Sequence, residues 1–207
     1  MPIELWTWNT PNGRKVSVAL EEMGLPYTVR KVDITKGEQF EPDFLRISPN
    51  NKIPAIIDPE GPGGAPISVF ESGAVLLYLG EKTGTFLPRD ARRRVPVYEW
   101  LMWQMGGFGP MLGQVHHFLT VNEADRAYGL ARYLKETRRL YGVLDRRLGR
   151  VEFVAGPVSI ADFAIIGWAW RHERHQVDLE SFPNVGRWYR QMMARPATAR
   201  GFEVALS

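Results

Sequence analysis

Two short segments decide how the first part of this chain folds: NKIPA at residues 51–55 and FESGA at residues 70–74. In the first, Pro54 interrupts an apolar run that otherwise predicts a buried strand, so it must lie at a strand edge, a strand start or a bulge. A cis peptide bond is one way to turn the chain there. In the second, Glu71 and Ser72 precede a helical apolar pattern, where unpaired N–H groups and the positive helix end favour an anion. The segments therefore predict an edge strand that faces an anion-binding helix start.

The composition favours a compact protein of one or two small domains. The chain has 207 residues, of which 44% are hydrophobic, enough for a sizeable core. No segment approaches the roughly 20 apolar residues of a membrane-spanning helix, and the first residues lack the layout of a signal peptide, so we expect a cytoplasmic protein. The formal net charge is only +3, and acidic residues accompany the arginine doublets. We therefore expect neither nucleic acid nor a membrane as a partner.

The chain contains no cysteine. It therefore has no disulfide framework, no thiolate ligand for a metal and no protein thiol that could act as a nucleophile. Any sulfur chemistry must use a thiol that a ligand brings to the protein.

Two domains are predicted from the change in periodicity along the chain. Residues 1–86 alternate strand and helix patterns in the order βαβ, α, ββα, which predicts an α/β domain with a small mixed sheet. Strand signals then end, and residues 90–207 have only helical periodicity. Leucines recur at helical spacing from Leu130 to Leu148, which predicts one long amphipathic helix. We therefore expect an all-α helical-bundle domain after the α/β domain.

Two local signals mark the helical part. Glycine and proline in residues 106–110 predict a kink or break after the preceding helix. The sequence SIAD at residues 159–162 is a capping box, in which Ser159 and Asp162 bond each other's backbone N–H groups. We interpret this box as structural, because a cap stabilises a helix without any ligand.

In their order and spacing, these motifs resemble the glutathione transferase superfamily over nearly the whole chain. More narrowly, TPNG at residues 10–13, LRISPNNKIPA at residues 45–55, and GPMLG at residues 109–113 followed by HHF are similar to the bacterial nu class. Members of that class are glutathione-dependent disulfide-bond oxidoreductases. The resemblance implies a thioredoxin-like first domain with a four-stranded sheet, glutathione as cosubstrate, small disulfides as substrates and a homodimer.

The resemblance also implies how glutathione is held. Ile53, beside Pro54, would give backbone hydrogen bonds to the cysteinyl part, while Glu71 and Ser72 would receive the γ-glutamyl amine and carboxylate. The physical fit is independent of the family, because an extended peptide can pair with an edge strand and a carboxylate suits a helix start.

Further ligand contacts are implied by resemblance alone. Lys52 and Gln39 are expected near the glycyl carboxylate. Arg132, in the long helix of the second domain, is expected near a ligand carboxylate, in its own or the partner subunit.

Thr10 and Asn12 are the catalytic residues that the resemblance implies. A thiol with a pKa of about 8.5 is only slightly ionised at neutral pH. The Thr10 hydroxyl and the Asn12 side chain or N–H would stabilise the glutathione thiolate electrostatically. That thiolate would attack a disulfide, and a second glutathione would resolve the mixed disulfide. Both sulfurs then come from glutathione, so the site should accommodate two glutathione molecules or glutathione disulfide.

The residues themselves leave alternatives open. Pro-Asn-Gly is turn chemistry by itself, so Thr10 and Asn12 could simply form the turn. The same thiolate could conjugate electrophiles or reduce hydroperoxides, and the chain could also be a non-catalytic interaction module. Four histidines are interpreted as surface residues rather than zinc ligands, so we expect no metal: His116, His117, His172 and His175.

Overall fold

The structure, a computed structural model, describes residues 1–204. Its described residues divide into two compact units, one of residues 1–87 with residues 193–204 and one of residues 88–192. The strands are β1 (Ile3–Thr7), β2 (Tyr27–Lys31), β3 (Ala55–Asp58) and β4 (Ile67–Phe70). The helices are α1 (Pro11–Glu22), α2 (Pro42–Ile47), α3 (Ser72–Thr83), α4 (Ala91–Trp103), α5 (Gly109–Phe118), α6 (Glu123–Leu148), α7 (Ile160–Ala169), α8 (Pro183–Met193) and α9 (Pro196–Glu203).

The first unit contains the mixed four-stranded sheet that the sequence predicts. The strand order is β2-β1-β3-β4; β1 is parallel to β2, whereas β3 is antiparallel to both β1 and β4. Side chains in β1 alternate between buried and partly exposed, as expected for a strand with one face in the core. Leu5 and Ile56 from the sheet and Leu76 and Leu79 from α3 are fully buried. The predicted α/β class is therefore confirmed.

Helix α9 packs on α1, which is why the C-terminal segment belongs to the first unit. A Cβ atom on Gly201 would lie 2.6 Å from the Cα of Val18, so only glycine permits this close approach. The Ser17 hydroxyl donates to the Gly201 carbonyl at 2.6 Å, and the buried carboxylate of Glu22 accepts from Arg195 at 2.8 Å. The arrangement differs from the expected division, which assigned all of residues 90–207 to the helical domain.

The second unit is all-helical, as predicted. All residues of α7 are buried, and α6 is one long helix with a buried stripe that includes Leu140, Leu144 and Leu148. The predicted break in residues 106–110 is a π-helical turn at Gln104–Phe108, which leads into α5. Among residues 1–204, no helix is both long and apolar enough to cross a membrane.

The capping box is present at the start of α7, and its carboxylate has a wider role than the sequence indicates. Asp162 is fully buried. One of its oxygens accepts from the N–H and the hydroxyl of Ser159 at 3.0 and 3.1 Å. The other accepts from Val154 N at 3.0 Å and from Trp188 Nε1 at 2.9 Å. Asp162 therefore joins the start of α7 both to the preceding loop and to α8.

Candidate active site

The segment that links β1 to the first turn of α1 contains Thr10 and Asn12. Thr10 is the N-cap of α1, and its Oγ1 accepts a hydrogen bond from Gly13 N at 3.1 Å. The cap uses a lone pair of this oxygen, and the Thr10 hydroxyl donates to no residue within the described range 1–204. Asn12 lies in the first turn of α1 and is partly exposed. A structural role for Thr10 as a cap is therefore compatible with a second role as a hydrogen-bond donor.

This turn is tied closely to the rest of the first unit. A Cβ atom on Gly13 would lie 2.4 Å from Thr7 Oγ1 and 2.5 Å from the carbonyl oxygen of Trp8, so glycine is required there. The buried Arg14 guanidinium donates to Asn9 Oδ1 at 2.8 Å and also to the carbonyl of Phe202 in α9. Close packing at Gly13 and the hydrogen bond of Asn9 therefore constrain the chain on both sides of Thr10.

The Ile53-Pro54 peptide bond is cis, and it directly precedes β3. The Ile53 side chain packs against a buried cluster that includes Phe44, and the Ser48 hydroxyl donates to the Lys52 carbonyl at 2.8 Å. Within residues 1–204, the backbone N–H and carbonyl of Ile53 make no hydrogen bond. An extended peptide could therefore pair with this short segment.

The second predicted segment begins α3. Glu71 is the N-cap and has a left-handed backbone with φ of 68°, which costs roughly 1–3 kcal/mol for a residue other than glycine. Its carboxylate is on an exposed residue and accepts from Asn50 Nδ2 at 3.3 Å. Ser72 is the first residue of α3 and is buried. At the start of α3, Glu71 is therefore exposed to solvent, whereas the adjacent Ser72 is buried.

Lys15 lies beside Ser72 and was not predicted from the sequence as a candidate site residue. It is only 1% exposed, and its Nζ lies 3.4 Å from Ser72 Oγ. Burial lowers the pKa of Lys15 to about 7, while the Glu71 carboxylate acts in the opposite direction. A signal was available, because Lys15 precedes the buried Val18 and Ala19 by three and four residues and so shares a helix face with them.

Gln39 and Lys52 also lie in the first unit. Gln39 is in a 3-10 turn at Glu38–Phe40, and its amide oxygen is buried without a hydrogen-bond partner in the described part of the chain. Lys52 directly precedes Ile53 and is exposed. No described contact joins either side chain to Glu71 or Ser72. The two predicted segments are nevertheless adjacent, because Ala55 of β3 pairs with Phe70 of β4.

Arg132 lies in the second unit, on α6. It is exposed and lines a cavity of about 740 Å³ together with Tyr128, Tyr133 and other residues of α5 and α6. The cavity wall also carries Glu136, which accepts hydrogen bonds of 2.8 and 2.7 Å from Arg139; these bonds hold the pKa of Glu136 below its usual value. With Lys135, the cavity has three cationic side chains and one carboxylate, so its charge favours an anionic ligand.

The interpretation of the histidines as surface residues is wrong for His175, which is fully buried. Its ring stacks on His116 with ring centroids 4.8 Å apart, and its Nδ1 lies 3.4 Å from the Tyr141 hydroxyl oxygen. The cause is local: residues 170–176 form turns that directly follow the buried helix α7. Among residues 1–204, no group of three or more potential ligand side chains could hold a metal ion.

Replacing His175 by phenylalanine should reduce the loss of stability in acid. Burial lowers the pKa of His175 from 6.5 to about 3, and His116, Arg171 and Arg174 act in the same direction. Below pH 6.5, His175 therefore binds a proton in the unfolded chain but stays neutral in the folded protein. The free energy of unfolding should fall by up to about 1.4 kcal/mol per pH unit as the pH drops from 6.5 toward 3.

Urea denaturation at pH 7, 6 and 5 measures this effect. We expect the wild type to lose stability faster than His175→Phe, whereas the exposed control His117→Gln should follow the wild type. If the free energy of unfolding fell equally with pH in the wild type and in His175→Phe, the loss of stability in acid could not be assigned to His175.

Comparisons with known proteins agree with the geometry. The family model described as "Glutathione S-transferase, N-terminal domain" matches residues 10–82, and "Glutathione S-transferase, C-terminal domain" matches residues 108–196. The Escherichia coli protein named disulfide-bond oxidoreductase YfcG is 50% identical over 200 residues, covering 96% of this chain and 93% of that protein.

Two solved structures are also similar. A glutathione transferase family member from Pseudomonas fluorescens, with two glutathione bound, has a TM-score of 0.91 and 44% identity, covering 97% of this chain and 92% of that one. A glutathione transferase from Pseudomonas putida, with one glutathione disulfide bound per subunit, has a TM-score of 0.93 and 44% identity, covering 98% and 91%.

Proposed function

Because this chain belongs to the glutathione S-transferase family, we propose that it is a glutathione-dependent disulfide-bond oxidoreductase. The observation that carries the proposal is the capped turn at Thr10, which offers a hydroxyl at the positive start of α1 in a chain that has no cysteine. The 50% identical relative that is named a disulfide-bond oxidoreductase supports the same reaction. We expect the protein to act in the cytoplasm.

Glutathione would bind along the first unit as a short extended peptide. Its cysteinyl part would pair with the backbone of Ile53, whose side chain packs against the buried cluster that includes Phe44. Its γ-glutamyl carboxylate would accept from Ser72 at the start of α3, and its ammonium would pair with Glu71. The exposed charge of Lys52 would meet the glycyl carboxylate, with Gln39 beside it.

Thr10 and Asn12 would then stabilise the glutathione thiolate. The Thr10 oxygen already accepts from Gly13 N, so its proton is directed to another acceptor, and a thiolate is a suitable one. Asn12 adds a second donor in the first turn of α1, where the helix dipole also favours negative charge. A decrease in thiol pKa by one unit needs only about 1.4 kcal/mol, within the range of a hydrogen bond to a charged group.

The reaction would proceed by two thiol-disulfide exchanges. In the first, the bound thiolate attacks one sulfur of the disulfide, a new sulfur-sulfur bond forms, and the other sulfur leaves as a thiolate. In the second, another glutathione thiolate attacks the glutathione sulfur of this mixed disulfide and releases the second substrate thiol. Two glutathione molecules are thereby oxidised to glutathione disulfide, and one disulfide is reduced to two thiols.

We also propose that the site binds a second glutathione and that the protein is a homodimer. One similar structure has two glutathione bound and another has one glutathione disulfide bound per subunit, and both support a site that is large enough for two reacting thiols. The cationic cavity at Arg132 suits the carboxylate of such a ligand. Val95 and Met102, seven residues apart on α4, are each 51% exposed and lie on one side of this helix, where a homodimer could bury them.

The test is an assay of three reactions side by side with the purified protein. These are the glutathione-dependent reduction of bis(2-hydroxyethyl) disulfide, conjugation of glutathione to an aryl halide, and reduction of an organic hydroperoxide. We expect disulfide reduction to dominate. Dominant conjugation or peroxide reduction would assign the thiolate to another reaction, and absence of all three would favour a non-catalytic interaction module.

A further inference from the structure

The buried charge of Lys15 is a feature that the proposed chemistry leaves unused. Its Nζ lies 3.4 Å from Ser72 Oγ, at the helix start that would receive the γ-glutamyl carboxylate. Placing an ammonium group in a protein interior is costly unless other groups compensate for the lost water. The start of α3 is itself the positive end of a helix dipole, so two positive features converge on the Ser72 hydroxyl.

Hydrogen-bond chemistry then decides which way the Ser72 hydroxyl points. An ammonium group has donors and no acceptor, whereas a hydroxyl can both donate and accept. When Lys15 is protonated, the Ser72 oxygen accepts from it, and the Ser72 proton is directed to a different acceptor. When Lys15 is neutral, its amine can accept that proton, and the hydroxyl turns toward the protein interior. Only the charged form prepares Ser72 to donate to a ligand.

We propose that Lys15 is a positioning residue for glutathione, whose ammonium orients the Ser72 hydroxyl toward the γ-glutamyl carboxylate and adds positive charge behind it. This inference rests on the proposed function, since it concerns the same glutathione site. It also makes glutathione binding dependent on the protonation of a lysine that does not touch the ligand.

The charges around Lys15 set the pH range of this dependence. Glu71, the cap of α3, favours the charged lysine, and burial opposes it, which places the pKa near 7. Other charged side chains on α1 and on neighbouring elements contact partners other than Lys15: Arg14 contacts Asn9, Glu21 contacts Arg200, Glu22 contacts Arg195, Glu4 contacts Arg30, and Lys82 contacts Asp58. Glu81 lies toward the end of α3.

The sign of the pH effect follows from linkage. A ligand carboxylate beside Ser72 favours charged Lys15 and raises its pKa, so binding above neutral pH takes up protons. Affinity should be highest below pH 7 and should fall as the pH rises through the pKa of Lys15 in the free protein.

Isothermal titration calorimetry with two ligands tests the proposal. S-methylglutathione has no ionisable thiol; its analogue with 4-aminobutyryl in place of γ-glutamyl keeps the amine and lacks the carboxylate. We expect Lys15→Met to weaken S-methylglutathione roughly 10- to 100-fold, as for a hydrogen bond to a charged group, and to leave the analogue nearly unchanged. The exposed control Lys36→Met should bind both ligands like the wild type.

The wild type alone provides an independent measurement that needs no variant to fold. In buffers of different ionisation enthalpy at pH 7.5, we expect proton uptake with S-methylglutathione and much less with the analogue. Equal weakening of both ligands by Lys15→Met, or equal proton uptake with both, would overturn the role of Lys15 while leaving the proposed function intact. Failure of the wild type to bind S-methylglutathione would overturn both.

Discussion

Replacing Asp162 by alanine is expected to lower the free energy of unfolding by about 4 kcal/mol or more. The carboxylate is fully buried and accepts hydrogen bonds from Val154, Ser159 and Trp188. Its removal leaves these donors without an acceptor in a site that excludes water, and each such group costs about 1–3 kcal/mol. The variant also loses the capping box of α7, a helix in which every residue is buried.

Urea unfolding followed by tryptophan fluorescence measures this loss. Asp162→Asn keeps one oxygen acceptor and should have an intermediate effect, which keeps the test quantitative if the alanine variant does not fold. Asp178→Ala is a matched control: this exposed carboxylate caps a 3-10 turn by accepting from Glu180 N at 2.9 Å, and its loss should cost about 1 kcal/mol or less. Similar losses for Asp162→Ala and Asp178→Ala would show that the buried network contributes little.

Thr10→Ala and Asn12→Ala are each expected to reduce kcat/KM for disulfide reduction by roughly 10- to 100-fold. The physical reason is that each removes a donor to the developing or resting thiolate, worth about 1.4–2.7 kcal/mol of stabilisation. Thr10→Ala also removes the N-cap of α1, which by itself costs about 1 kcal/mol of stability. Activity and stability must therefore be measured on the same preparations.

Two controls separate the chemistry from the cap. Thr10→Ser keeps both the hydroxyl and the cap and should retain most of the activity. Asp90→Ala removes the side-chain cap of α4, which accepts from Arg93 N at 2.8 Å, and should lower stability without a comparable loss of turnover. Full activity in Thr10→Ala and Asn12→Ala would remove both residues from the mechanism.

Most of the local structure could be predicted because its causes are local. Apolar alternation in β1, Pro-Asn-Gly in the first turn of α1 and the glycines before α5 each act over a few residues. The position of α9 could not be predicted in this way. Its contact with α1 depends on Gly201 meeting Val18 across most of the chain, and helical periodicity does not specify which helix will be the partner.

The candidate site also has parts with local causes and parts that depend on contacts distant in sequence. The segments around Pro54 and Glu71 were accessible from sequence, since a strand start and a helix start are marked by the residues that form them. The expected edge strand is wrong, because β3 pairs with β1 on one side and β4 on the other. Lys15 and His175 were missed. The helix face that Lys15 shares with Val18 and Ala19 was a weak signal, because lysine is seldom fully buried and a polar residue near other charged residues is usually on the surface. Both are instead buried by helices distant in sequence, and only the packed structure reveals their partners.

The pKa of the bound glutathione thiol is the most direct test of the central claim that the protein prepares glutathione as the nucleophile. It can be measured by titrating the ultraviolet absorbance of the thiolate in the complex and in free glutathione. We predict a pKa at least about one unit below that of free glutathione, and a return toward the free value in Thr10→Ala. A bound thiol that titrates like free glutathione would contradict the proposed mechanism.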